Sequence, residues 1–163
     1  FPYTTLFRSV SGFVSSNVLR GRPFGGCAIL WRSDLNVNVT VLDTTSTRVC
    51  AVRMVNESCR LLFVNVYMPC EDGDSSTVVF ADQLNVIENL IANNPDCHII
   101  VGGDFNVDVS REWIHTAMLN SFNENIGLNY AVLHEKCKID YSYNFNMSRF
   151  STLDHFLLSD TLY

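Results

Sequence analysis

Arg48-Val-Cys-Ala-Val-Arg-Met-Val55, Asn56-Glu57-Ser58 and Arg60-Leu-Leu-Phe-Val-Asn-Val-Tyr-Met68 read as two strands about a polar turn. Both runs are rich in Val and other apolar residues, and a short polar connection between such runs is the signature of a hairpin. A parallel pair would need a crossover of a dozen or more residues, and there is no room for one here. The two strands are therefore antiparallel, which excludes a doubly wound parallel sheet. Pro69, which has no N–H to give to a ladder, stops the second run.

Outward from the hairpin, more strands lie upstream. Cys27 to Trp31 is apolar after a Gly-Gly turn, and Val37 to Leu42 alternates with period two. Downstream comes an acidic loop, Cys70 to Ser76. Ser76 to Asn94 then reads as a helix, with Val79, Phe80, Leu84, Ile87, Leu90 and Ile91 on one stripe. Ser75 or Ser76 is positioned to cap it, and Asn93-Asn94-Pro95 ends it. His98 to Val101 predicts a buried strand and Arg111 to Phe122 a second helix. Short strands are expected at Tyr130–Leu133, Tyr141–Phe145 and Thr152–Leu158. Consecutive strands followed by strands interleaved with helices predict a layered α/β sandwich with mixed sheets.

Composition narrows the class. A chain of 163 residues is one domain with a real core. No apolar run approaches the roughly 18 residues of a membrane span, so no membrane anchor is expected. The net charge of −6 argues against a simple nucleic-acid-binding module, whose affinity comes largely from Lys and Arg. It leaves room for a metal nuclease, whose acidic site is neutralised by its cation. The six cysteines form no C-x-x-C pair and mostly sit in apolar runs, which reads as a reduced, intracellular setting. Sequons at Asn38, Asn56 and Asn146 read as accidental in so Asn-rich a chain. Pro2 to Ser9 matches the translation of a common sequencing adapter. Residues 1–9 are therefore set apart as adapter-derived, leaving 10–163 as one partial domain cut at both ends.

Three segments carry chemistry. In Gly102-Gly103-Asp104-Phe105-Asn106, alternation along an extended chain would project Asp104 and Asn106 together and turn Phe105 into the core. The paired glycines let another group approach the backbone. A carboxylate beside a neutral amide suits a divalent cation and a phosphate, although a plain Gly/Asp/Asn turn needs no function. In Asn65-Val-Tyr-Met-Pro69, Tyr67 at a strand end can donate to a phosphate oxygen. It can equally be a core tyrosine with a satisfied hydroxyl. In Ser151-Thr-Leu-Asp-His-Phe-Leu-Leu-Ser159, Asp154 within an apolar strand is expected to be buried and to need a partner. His155 points to the opposite face and reads as structural, while His98, His115 and His134 form no ligand spacing and read as structural or exposed.

Taken in order, NVYMP, GGDFN and STLDHFLLS resemble the endonuclease/exonuclease/phosphatase superfamily, with its four-layer DNase-like sandwich. With Gly21-Arg-Pro-Phe-Gly-Gly-Cys-Ala-Ile-Leu30 upstream, the wording is most similar to endonuclease domains of non-LTR (LINE-type) retrotransposons. The resemblance spans about Gly21 to Ser159. It implies two mixed, mostly antiparallel sheets flanked by helices, here incomplete. It further implies Mg²⁺-dependent phosphodiester hydrolysis, with Mn²⁺ as the alternative cation. The nick would leave a 3′-hydroxyl that primes reverse transcription. Tyr67, Asp104, Asn106 and Asp154 are then the catalytic set. Tyr67, Asn106 and Ser151 contact phosphate, Asp104 serves the metal, and Asp154 orients a catalytic histidine. The implied partners are DNA and a downstream reverse transcriptase domain. Action would be intracellular, at nuclear DNA.

The family's metal-binding Glu in a Q-E pair, and its closing Ser-Asp-His, do not occur in the chain. Loss of members of a cooperating set predicts that this chain is inactive by itself. The loss of edge strands should also expose sheet. Two alternatives stay open. One is a phosphoesterase of the same superfamily acting on inositol phosphates, sphingomyelin or RNA. The other is a degenerate, non-catalytic scaffold.

Overall fold

The computed structural model describes residues 7–11, 26–137 and 139–163. Its centre is a six-stranded mixed sheet of β3 (Asn38–Leu42), β4 (Val49–Val55), β5 (Arg60–Tyr67), β6 (His98–Asp104), β7 (Leu128–Tyr130) and β10 (Asp154–Ser159), in the order β3-β4-β5-β6-β10-β7. Two two-stranded sheets accompany it, β1 (Phe7–Ser11) with β2 (Ala28–Arg32) and β8 (Tyr143–Phe145) with β9 (Arg149–Ser151). The expected hairpin is β4–β5, antiparallel from Val55↔Arg60 to Val49↔Val66. Asn56 makes its turn by accepting, through Oδ1, the backbone N–H of Ser58 and of Cys59.

The connection from β5 to β6 is the long one, and these two strands are parallel. The crossover is α1 (Gly73–Ala92), which buries Phe80, Leu84, Ile87 and Leu90 against the sheet. It starts three residues earlier than expected, with Asp72 at its N-cap and no side-chain cap. Ser76 instead accepts the Asp72 N–H and donates to the Gly73 carbonyl, so it braces the first turn from within. The second helix, α2 (Ile114–Ile126), also starts later than the Arg111–Phe122 reading. Asp108 captures both the N–H and the hydroxyl of Ser110, which holds residues 108–111 in a turn. Gly127 at φ 75° ends the helix in the left-handed region.

Layering follows from strand alternation. Val49, Ala51, Leu62, Val64 and Val66 face α1 and α2 in the main core. Cys50 and Val52 face the other way and pack with Ile29 and Trp31 of β2. The α/β sandwich expectation holds. Among the described residues its second sheet is the antiparallel β1–β2 ribbon, and both helices lie on one face of the large sheet. Phe7 to Ser9, set apart in the sequence reading, pair with Leu30 to Arg32. Residues 1–6 and the Gly21–Gly25 part of the upstream motif lie outside the described residues.

The tail differs in detail. The Tyr130–Leu133 strand is β7 followed by a 3₁₀ turn at Ala131–Leu133, and the Tyr141–Phe145 strand is one arm of the β8–β9 hairpin. On the face that β1–β2 only partly covers, Phe156 is 53% exposed and lies over Gly102, where a Cβ would stand 2.5 Å from its ring.

Candidate active site

Strand pairing brings three of the expected residues into one row. Tyr67, the last residue of β5, is the register partner of Asp104, the last residue of β6. Asp104 in turn pairs with Asp154, the first residue of β10. Register partners on adjacent strands present their side chains to the same face, with Cβ atoms about 5 Å apart. The face is the one opposite the helices, since Val64, Val66 and Leu157 occupy the helix side. A phenol and two carboxylates thus share one end of the sheet.

Asn106 reaches the row by a different route from the one its spacing suggested. The strand stops at Asp104, and Asn106 takes a left-handed backbone at φ 51°. Its N–H donates to Asp104 Oδ1 at 2.9 Å, an Asx-type turn that ties the two residues together. Its side-chain Nδ2 donates to the Met68 carbonyl at 2.8 Å, and the Cys70 thiol donates to Oδ1 at 3.2 Å. One Nδ2 hydrogen remains for another acceptor. Phe105 is fully buried, as expected, and Gly103 lets β5 approach. A Cβ at Gly103 would lie 2.1 Å from the Val66 carbonyl oxygen.

Asp154 corrects the sequence reading. It is exposed, because it opens β10 at the sheet end instead of lying within the strand, and its N–H is held by Ser142 Oγ at 3.0 Å. His155, one residue on, is buried on the helix side, 2.7 Å from the Val107 carbonyl through Nε2. Ser151 ends β9, and its hydroxyl accepts from Arg111 Nη2 at 2.9 Å, which directs it to the Asp108–Arg111 turn. His98 bonds Thr161 and His134 packs edge-on against Tyr163. His115 is buried and stacks on Phe80.

Arg48 was not singled out from sequence. Its carbonyl accepts the Tyr67 N–H at 2.9 Å, its Nη1 donates to the Tyr67 carbonyl at 3.0 Å, and its guanidinium lies 5.3 Å from the Tyr67 ring centroid. It extends the row to the residue just before β4 and places a cation over the Tyr67 ring. The signal was present. Counting back from the Val55↔Arg60 turn pairs position 48 with 67.

Burial, and to a lesser degree the neighbouring Asp154, pushes the Asp104 carboxyl above its usual range, against the Asn106 N–H bond and the more distant His155. Two carboxylates facing each other repel, and a divalent cation held by Asp104 would offset that repulsion and the cost of burying the charge. No cluster of three or more His, Cys, Asp or Glu lies among the described residues. Mg²⁺ keeps several waters and is often held by only one or two carboxylates plus substrate phosphate, so the Asp104–Asp154 pair fits it.

The family model for the Endonuclease/Exonuclease/phosphatase family matches residues 2–163. No curated protein sequence matches the chain. Among solved structures, it superposes on the endonuclease domain of TRAS1, a telomere-specific non-LTR retrotransposon, with TM-score 0.72 and 14% identity, over 95% of this chain and 68% of that one. The AP endonuclease LMAP from Leishmania major gives TM-score 0.70 at 12% identity, over 96% and 62%. The 3′ phosphatase NExo from Neisseria, bound to a product DNA hairpin, gives 0.63 at 16%, over 95% and 67%. The chain thus spans roughly two thirds of the length of each. At these identities the likeness is one of fold, and the family match extends it to sequence: the chain belongs to the Endonuclease/Exonuclease/phosphatase family, whose members are generally divalent-metal-dependent hydrolases of phosphate esters.

Proposed function

We propose that this chain is part of a DNA-nicking endonuclease domain of a non-LTR retrotransposon, hydrolysing one phosphodiester so that the freed 3′-hydroxyl primes reverse transcription. The observation that carries the reading is the row Tyr67–Asp104–Asp154 across three adjacent strands, with Asn106 turned back onto it.

In this reading the free Nδ2 hydrogen of Asn106 and the Tyr67 hydroxyl donate to non-bridging phosphate oxygens, where negative charge grows in the transition state. Asp104 orients the attacking water and accepts its proton. Asp154 is assigned to orient a histidine. Among the described residues its neighbour His155 faces away and does not serve. Mg²⁺ held by Asp104, with Asp154 beside it, would polarise the phosphoryl oxygen and lower the pKa of a bound water. Arg48 adds fixed positive charge at the same end.

A polynucleotide is favoured over a small phosphate ester by what borders the row. Tyr141, Tyr143, Phe145 and Phe150 are all 46–51% exposed. The hairpin that carries Tyr143, Phe145 and Phe150 is bonded to the Asp154 strand through Ser142. Exposed aromatic rings of this kind stack on bases. Titration of the chain with a short DNA duplex in Mg²⁺ at low salt tests the reading. Asp104→Ala and Asn106→Ala should each weaken binding about tenfold, with inositol phosphates failing to compete. Binding indifferent to both substitutions would overturn it.

A further inference from the structure

We infer that His155 is a positioning residue for Asn106, acting through the sheet from the face opposite the catalytic row. The inference rests on the proposed role of Asn106 as a phosphate donor, but its geometry can be judged separately.

His155 grips the chain on both sides of Asn106. Its Nε2 lies 2.7 Å from the carbonyl oxygen of Val107, the residue after Asn106. A carbonyl only accepts, so this bond sets the tautomer with the proton on Nε2. The same ring packs against Phe105, the residue before Asn106, at 6.0 Å between centroids and 59°, and meets Tyr130 edge-on at 5.6 Å and 70°. Leu153, two residues before His155, accepts the Phe105 N–H at 2.9 Å. Residues 105 and 107 are thereby fixed, and Asn106 must bridge them in its left-handed conformation, which an L-residue seldom adopts unsupported.

Packing alone does not account for an imidazole here. His155 is 2% exposed, and its Nδ1 has no hydrogen-bond partner among the described residues. An apolar ring of the same size would fill the space without burying an unsatisfied nitrogen. What the imidazole supplies, and a phenyl ring cannot, is the Nε2–H bond to Val107. That bond governs where the Asn106 side chain points, and so whether its spare Nδ2 hydrogen faces the row.

The test uses the 163-residue chain with His155→Phe and His155→Gln. The phenyl variant removes the donor and keeps the volume, whereas the Gln amide can donate to Val107. Hydrogen exchange of the Asn106 N–H, which bonds Asp104, reads the turn directly. Exchange across β5–β6 reads the rest of the sheet. In the Phe variant, Asn106 exchange should rise at least tenfold while Val64 and Val101 stay protected, and binding of a short DNA duplex in Mg²⁺ should weaken about tenfold. The Gln variant should restore both. Unchanged Asn106 exchange in a folded Phe variant would overturn the inference. If the Phe variant does not fold, the Gln variant decides: wild-type protection at Asn106 supports the role of a donor at this position, and a folded Gln variant without it refutes that role. Absence of duplex binding in the wild-type chain would count against the phosphate-donor reading instead, leaving exchange at Asn106 to judge His155.

Discussion

At the scale of single residues, the site is arranged at the expense of stability. Asp104 is half-buried, faces a second carboxylate, and has its pKa raised by burial first and by Asp154 after it. Because the folded-state value lies above the unfolded one, the folded chain binds that proton more tightly. The group's contribution therefore favours folding at acid pH and is lost as pH rises past the raised value. Asp104→Asn keeps an oxygen for the Asn106 N–H and removes the charge. It should raise the melting temperature at pH 7 by about 2 °C and flatten the pH dependence above the ordinary aspartate range, as differential scanning fluorimetry would show. On the proposed reading, millimolar Mg²⁺ or Mn²⁺ should stabilise the wild-type chain by mass action, and the same substitution should abolish that effect. A variant still stabilised by the cation would remove Asp104 from the metal site.

At the scale of elements, the β5–β6 pairing and the α1–α2 contact carry the fold. Gly103 has φ 139°, and a Cβ there would meet the Val66 carbonyl at 2.1 Å, backbone against backbone. Gly103→Ala should cost at least about 3 kcal/mol, read from urea unfolding. Gly102→Ala meets only the rim of the half-exposed Phe156 ring, which can swing aside, and should cost less than half as much. If the two variants proved equally stable, the described register of β5 on β6 would be wrong.

Between the helices, His115 stacks on Phe80 at 4.2 Å and 18°, and neither ring nitrogen has a partner among the described residues. Burial lowers its pKa, against the smaller opposing pull of Glu71. A depressed histidine favours folding above its unfolded value, near 6.5, and that contribution is lost as pH falls toward the folded value. The contribution of this ring should therefore fall from pH 7 to 5. His115→Phe should show a visibly shallower slope in urea midpoints over that range, while an identical slope would mean that the ring is not sequestered from solvent.

At the scale of the whole molecule, a net charge of −6 and a site containing two facing carboxylates repel a polyanion. On the proposed reading, approach of DNA would depend on a bound cation and on local positive charges such as Arg48 and Arg111. Among the described residues His155, the histidine next to Asp154, faces away from it, and no group of three or more His, Cys, Asp or Glu that could hold a metal ion is formed. Catalytic sets of this kind lose several powers of ten when one member is absent. The 163-residue chain is accordingly expected to give no appreciable Mg²⁺-dependent nicking of supercoiled plasmid. Robust nicking abolished by Asp104→Ala would mean that the described residues already hold a complete site.

The hairpin from Arg48 to Met68, the apolar stripe of α1 and the burial of Phe105 were determined by the sequence itself. Each depends on neighbours a few positions apart, through turn chemistry, helical period or strand alternation. The candidate residues Tyr67, Asp104, Asn106 and Asp154 were legible too, through the order of their motifs. Their meeting was not. It required β6 to pair with β5 in parallel and with β10 antiparallel, and those contacts join segments distant in the chain, where no local pattern states the register. Tertiary structure also decided that Asp154 stands in solvent and that Asn106 turns its amide back onto Met68, whereas the hairpin register already sets Arg48 opposite Tyr67. Asp104 becomes a neighbour of Asp154, and Met68 of Asn106, only once the sheet has closed.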